Sequence, residues 1–130
     1  MNTGYQSMST VTSVLSIRRG PWLIAWRVAL LASVALIAIG SLTPSHYLPA
    51  HPMKDKLLHL AGYGLISGLT MVAIRSRRRQ VIGLALLTLL GVALEFCQIF
   101  VPGRAFEVAD MAANGMGVFV AFHACRLLLP

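Results

Sequence analysis

Three acidic side chains in this chain each have a polar neighbour three or four positions further on, a spacing that places both on one face of a helix. The pairs are Asp55 with His59, Glu95 with Gln98, and Asp110 with Asn114. Carboxylates and imidazoles exchange protons as general acids and bases, whereas amides orient ligands through hydrogen bonds. We therefore take Glu95, His59 and Asp110 as the candidate catalytic residues.

Two basic residues accompany these pairs. Lys56 follows Asp55 directly, and Arg104 follows Pro102 and Gly103 in the connection between the last two apolar stretches. Ammonium and guanidinium groups form charge-assisted hydrogen bonds with phosphate. The pattern predicts a substrate-binding group made up of Asp55, Lys56, Gln98, Arg104 and Asn114.

Each of these residues also has a purely structural interpretation. The carboxylates of Asp55 and Asp110 can cap helix N-termini. Arg104 can pair with a lipid headgroup from its loop. The side chains of Gln98, Asn114 and His59 can hold membrane helices together. Glu95 is different, because apolar sequence through Phe100 separates it from the following loop. An ionisable group at that depth costs several kcal/mol and normally faces a bundle interior or a water-filled cavity.

The segments that carry these residues are long and apolar. Of the 130 residues, 57% are hydrophobic and only 12% are charged, which is too apolar for an ordinary soluble domain. Four stretches can each form a membrane span of about 20 residues. We predict an all-α, four-helix transmembrane bundle in one domain, residues 22–130, with spans at about 22–42, 57–74, 81–101 and 108–129. Residues 1–21 are predicted to form a mobile cytoplasmic tail.

The second stretch and the turn that follows it have their own signals. Gly62, Gly64 and Gly68 predict close packing, because small residues let membrane helices approach one another. The basic run from Arg75 to Arg79 is interpreted as a short turn before the third span. These two spans should therefore form a helical hairpin.

The basic residues are distributed unevenly between the two predicted sides of the membrane. One side has Arg18, Arg19, Arg27, Arg75, Arg77, Arg78, Arg79 and Arg126, and the other has Lys54, Lys56 and Arg104. Short cytoplasmic loops carry the excess of Lys and Arg, which predicts a multi-pass inner-membrane protein with both termini in the cytoplasm and all four acids toward the outside. The orientation of the helices in the membrane accounts for the basic residues and therefore for the net charge of +7. We thus expect the bilayer and not nucleic acid as a partner. The pattern carries no signal for an oligomeric state.

A divalent-metal site is a further alternative, because Asp55, His59, Glu95 and Asp110 offer oxygen and imidazole ligands. No local metal motif is recognisable, so we predict no metal and no cofactor. Cys97 and Cys125 should lie about 20 Å apart along the bundle at 1.5 Å per residue, too far for a disulfide. We interpret both as small buried apolar residues.

The polar residues, taken together, resemble the VanZ-like family of small membrane proteins. The residues that carry the resemblance are Asp55, Lys56, His59, Gly62, Tyr63, Glu95, Gln98, Pro102, Gly103, Arg104, Asp110, Asn114 and Gly117. The family is named after a protein associated with low-level resistance to teicoplanin, so the resemblance implies about four helices, a cell-envelope setting and a link to antibiotic resistance. Members often place a small hydroxyl residue soon after the arginine, whereas this chain has Ala105, Phe106 and Glu107.

Two classes of function follow from this pattern. In the first, the chain acts on or binds a phosphate-bearing envelope component at the outer leaflet, such as a lipid-linked glycan or a peptidoglycan precursor, with proton exchange by Glu95 or His59. In the second, it is an accessory membrane protein whose polar cluster only holds the bundle together. The sequence leaves open whether the protein is an enzyme, and it offers no charged path for a transporter.

Overall fold

The structure is a computed structural model that describes residues 21–48 and 52–128. These residues form four long α-helices and no strand. The helices are α1 Pro21–Ser41, α2 Pro52–Ala73, α3 Arg77–Gln98 and α4 Val108–Leu128, with a short 3₁₀ turn at Ser45–Tyr47. The predicted all-α, four-helix fold is confirmed. The predicted tail lies outside the described residues except for Pro21.

All four helices are long and apolar enough to cross a membrane. The candidate spans are Trp22–Ser41, Asp55–Ala73, Arg77–Gln98 and Val108–Leu128. Their lengths of 19 to 22 residues correspond to about 29 to 33 Å at 1.5 Å per residue, which matches a hydrocarbon core of about 30 Å.

Two helices begin earlier than the spans that the sequence predicted. α2 begins at Pro52 and not near residue 57, because proline is well tolerated in the first turn, where helix N–H groups have no intrahelical partner. α3 begins at Arg77 and ends at Gln98, so Arg77 to Arg79 form its first turn. Arginine is a good helix former, and only residues 74–76 are left as the connection.

The bundle is organised around α2. This helix packs most extensively on α4, and α1 lies mainly against α2. A Cβ built on Gly64 would lie 3.7 Å from the carbonyl oxygen of Gly117, so the two backbones approach closely there. The apolar core of the bundle consists of Ile66, Met71, Leu84 and Leu87.

The two ends of the bundle are closed in different ways. At one end, which we call the arginine end after Arg75 and Arg77 to Arg79, Gln80 Nε2 donates to the carbonyl oxygens of Met71 at 2.8 Å and Ile74 at 2.7 Å. At the opposite end, which we call the site end, the α1–α2 and α3–α4 loops meet. There the backbone N–H of Ser45 donates to the Pro102 oxygen at 3.4 Å.

The cysteines differ in one respect from the prediction. Both are free, as expected, but Cys97 is exposed on the bundle surface and Cys125 is only partly buried. Apolar character does not imply burial inside a membrane bundle, because a side chain that faces lipid also avoids water.

Candidate functional site

The predicted polar residues converge at the site end, where three helices meet. α2 contributes Asp55, Lys56 and His59, α3 contributes Glu95 and Gln98, and α4 contributes Asp110 and Asn114. Five of these side chains are almost completely buried, namely Glu95, Gln98, Asp110, Asn114 and His59. Buried polar groups are costly unless they are paired, so their contacts determine what the cluster can do.

His59 lies at the centre of the cluster. Its Nδ1 atom is 3.0 Å from Asn114 Oδ1, and because an amide oxygen only accepts, Nδ1 is the donor in this pair. Its Nε2 atom is 3.9 Å from Asp55 Oδ1. Glu95 Oε1 lies 3.8 Å from Nδ1, which is beyond hydrogen-bond range. The imidazole is thus flanked by an amide and two carboxylates.

Glu95 is the most unusual member of the cluster. Its side chain is 0% exposed, and neither carboxylate oxygen has a hydrogen-bond partner among the described residues. The side-chain nitrogen of Gln98, one turn further along α3, is also buried without a partner in that part of the chain. Burying a carboxylate in this way costs several kcal/mol. A group kept at such a cost points to a role other than packing.

Both basic side chains of the cluster are paired with carboxylates. Lys56 Nζ donates to Glu107 Oε2 and, at 3.3 Å, to Asp110 Oδ1. Arg104 Nη1 donates to Asp55 Oδ2 at 3.2 Å. The α3–α4 loop and the start of α4 are therefore tied to the start of α2, and the cations predicted to bind phosphate are already engaged by acids.

Glycine at position 91 makes room for the cluster. A Cβ at this position would lie 3.1 Å from the Asn114 amide nitrogen and 3.1 Å from the ring of Tyr63. The absence of a side chain on this face of α3 thus lets α2 and α4 present their polar groups. Tyr63 itself is 1% exposed, and its hydroxyl has no partner among the described residues.

The comparison with known families supports the resemblance that the sequence shows. The model of the VanZ/LLP1 family matches residues 25–129. The chain belongs to the VanZ-like family. No curated protein and no solved structure gives a significant match. With four helices long and apolar enough to span, this VanZ-like chain is a multi-pass membrane protein.

The structure adds two residues that the sequence analysis of this VanZ-like chain did not name as site residues. Glu107, one of the four acids expected on the same side, pairs with Lys56, and its position three residues before Asp110 was the signal for a role in the cluster. Gly91 had a weaker signal, since it lies one turn before Glu95 on the same face of α3.

Proposed function

We propose that the chain binds the polar, phosphate-bearing headgroup of an envelope component at the site end and exchanges a proton with it. Lipid-linked glycans and peptidoglycan precursors belong to this class of ligand. The observation that carries the proposal is Glu95, a fully buried carboxylate without a hydrogen-bond partner among the described residues, 3.8 Å from His59. A carboxylate beside an imidazole is a pair that can accept and return a proton.

The sidedness of the proposed site follows from the charges. The arginine end has Arg75, Arg77, Arg78 and Arg79, which favours the cytoplasm for that end of an inner-membrane protein. The site end then faces outward, where envelope precursors are used. Because the VanZ-like family is named after a protein associated with teicoplanin resistance, we include a role in glycopeptide resistance in the proposal.

Lys56 and Arg104 are the groups that would recognise phosphate. Their present partners are Glu107, Asp110 and Asp55, so an incoming phosphate has to compete with carboxylates. Lys56 is the more accessible of the two, with a side chain 31% exposed compared with 9% for Arg104. Binding would therefore begin at Lys56 and end with Arg104 turned toward the ligand.

The test is the substitution Glu95→Gln, which keeps the shape of the side chain and removes its charge. We expect normal protein yield and an unchanged or raised melting temperature, because a buried unpaired charge is lost. On this proposal the wild-type chain raises the teicoplanin tolerance of a susceptible host, and the Glu95→Gln variant should leave that tolerance at the level of the empty vector. Thr88→Val, two turns away on the same helix, removes a polar group outside the cluster and should keep that tolerance.

The second candidate function is an accessory protein whose cluster is only a structural network. The hydrogen bond between His59 and Asn114 and the ion pairs of Lys56 favour it, because they satisfy buried groups without a ligand. In that case Glu95→Gln would lower tolerance only as far as it lowers the amount of folded protein. Full tolerance with a normal yield would contradict proton exchange by Glu95.

A further inference from the structure

We propose that the cluster binds one divalent cation of the Zn²⁺ or Mn²⁺ type through Asp55, His59 and Asp110. This inference adds a metal ion to the proposed headgroup site. It rests on the proposed function in one respect, because the phosphate of the headgroup would complete the coordination of the ion. One ligand atom from each of the three residues lies within 4.8 Å of the other two. In tetrahedral coordination with bonds of about 2.1 Å, two ligand atoms on one ion are separated by about 3.4 Å. Side-chain shifts of less than about 1 Å therefore bring the three atoms onto one ion.

The hydrogen bond of His59 fixes the ring in the form that a metal requires. Since Nδ1 donates to Asn114 Oδ1 at 3.0 Å, the neutral ring has its lone pair on Nε2. That lone pair faces Asp55 Oδ1 at 3.9 Å, so two acceptors lie opposite each other with space for a cation between them. Metal-bound histidines usually donate their other N–H to an oxygen in this manner.

Glu95 is an independent observation that points to a cation. It is a completely buried carboxylate without a hydrogen-bond partner among the described residues, and it approaches the same imidazole to 3.8 Å. A carboxylate this close to the imidazole would be stabilised by a positive ion on the ring.

The charges of the cluster lead to the same conclusion. Its acids are Asp55, Glu95, Glu107 and Asp110, and the described cations that pair with them are Lys56 and Arg104. With Asp55, Glu107 and Asp110 ionised and the buried Glu95 left uncounted, three negative and two positive charges leave an excess of one negative charge, which repels a phosphate. One divalent ion offsets that excess and frees the basic residues for an anionic ligand. The mixed oxygen and imidazole ligand set favours Zn²⁺ or Mn²⁺ over Ca²⁺.

The experiment uses the full-length chain in detergent, stripped with EDTA and desalted. ZnCl₂ or MnCl₂ is titrated calorimetrically, and the metal that remains after a second desalting step is counted by mass spectrometry. We expect about one ion per chain and a higher melting temperature. Asp55→Asn, His59→Gln and Asp110→Asn should each weaken binding at least about tenfold, since each removes one ligand, and Asn114→Ala by about ten- to 100-fold.

His123→Gln is the matched control, because it removes an imidazole from the outer surface of α4, where Nδ1 contacts the Phe119 carbonyl oxygen. It should bind the ion like the wild type. Helical circular dichroism and gel filtration identify any variant that fails to fold. Metal binding to the EDTA-stripped wild type tests the proposal without any substitution. Absence of stoichiometric binding to the wild type, or equal binding to folded His59→Gln, would overturn the proposal. The proposal would also be overturned if ethanolamine raised the melting temperature of the stripped chain and neither metal did. The site would then bind an ammonium group and not a metal ion.

The two proposals can fail separately. Co-purified lipid is measured by native mass spectrometry in the same preparations, before and after EDTA treatment. An ion bound without any phosphate-bearing lipid supports the cation site and contradicts headgroup binding. Lipid that survives EDTA in a chain that binds neither metal supports headgroup binding and contradicts the cation site.

Discussion

Asn114 Oδ1 accepts a hydrogen bond from His59 Nδ1 at 3.0 Å across the interface between α4 and α2. Both side chains are buried, so neither group can turn to water when the other is removed. This bond connects the two most extensively packed helices of the bundle, and it also determines which ring nitrogen of His59 faces Asp55.

The first prediction concerns the energy of this bond. Asn114→Ala should cost about 1 to 3 kcal/mol in the free energy of unfolding, because a buried donor loses its acceptor. His59→Ala combined with Asn114→Ala should cost less than the sum of the two single substitutions, with a coupling of at least about 0.5 kcal/mol. Equilibrium unfolding in detergent measures all three values. In the control cycle, Asn114→Ala with His123→Ala should be additive, since nine residues of α4 separate the two positions by about 13 Å.

The second prediction concerns the close approach of α2 and α4. A Cβ on Gly117 would collide with the Leu60 carbonyl oxygen and would lie 2.9 Å from the Gly64 nitrogen. Since both contacts are with backbone, the helices have to separate, and we expect Gly117→Ala to cost about 1 to 3 kcal/mol. Melting temperature and yield in detergent provide the measurement.

Gly115→Ala is the matched control for that substitution. No atom lies within 4 Å of a Cβ at this position, and alanine favours helix over glycine. The variant should be as stable as the wild type or slightly more stable. Equal losses for the two alanine variants would show that the Gly117 contact does not hold the helices together.

Gly117 also illustrates which parts of the fold the sequence could predict. The four apolar stretches predicted the helices, because length and hydropathy alone decide which segments can span. The partner of each helix was not predictable in this way, since lipid-facing and helix-facing residues are equally apolar in a membrane protein. Cys97 shows the consequence, because it was expected to be buried and lies on the surface.

The polar residues were more informative than the apolar ones about three-dimensional proximity. Glu95 and His59 were expected to lie together because polar groups inside a membrane have to find one another, and their atoms are 3.8 Å apart in the structure. The individual ion pairs could not be derived from spacing. Lys56 could have turned toward Asp55 beside it, yet it pairs with Glu107 and Asp110 because the α3–α4 loop folds back over the start of α2.

The third prediction concerns the arginine end. Gln80 is 7% exposed, and its amide donates to two carbonyl oxygens at the end of α2. Gln80→Met keeps the volume but removes both hydrogen bonds, which should cost about 1 to 3 kcal/mol. Thermal unfolding measures the loss, with the exposed neighbour Arg79→Met as a near-neutral control. Metal or lipid binding per folded molecule should stay at the wild-type level, so a large loss of binding would indicate coupling between the two ends.

The fourth prediction concerns orientation in the membrane. Exposed positions for a labelled cysteine are available at both ends, at His46 beside the site end and at Ser76 at the arginine end. In a background with Cys97→Ser and Cys125→Ser, His46→Cys should react with a membrane-impermeant maleimide in intact spheroplasts. Ser76→Cys should react only after the membrane is permeabilised, because the arginine excess favours the cytoplasm. The reverse labelling pattern would place the cluster of Glu95 and His59 on the cytoplasmic side, and a ligand from the outer leaflet would then have no access to it.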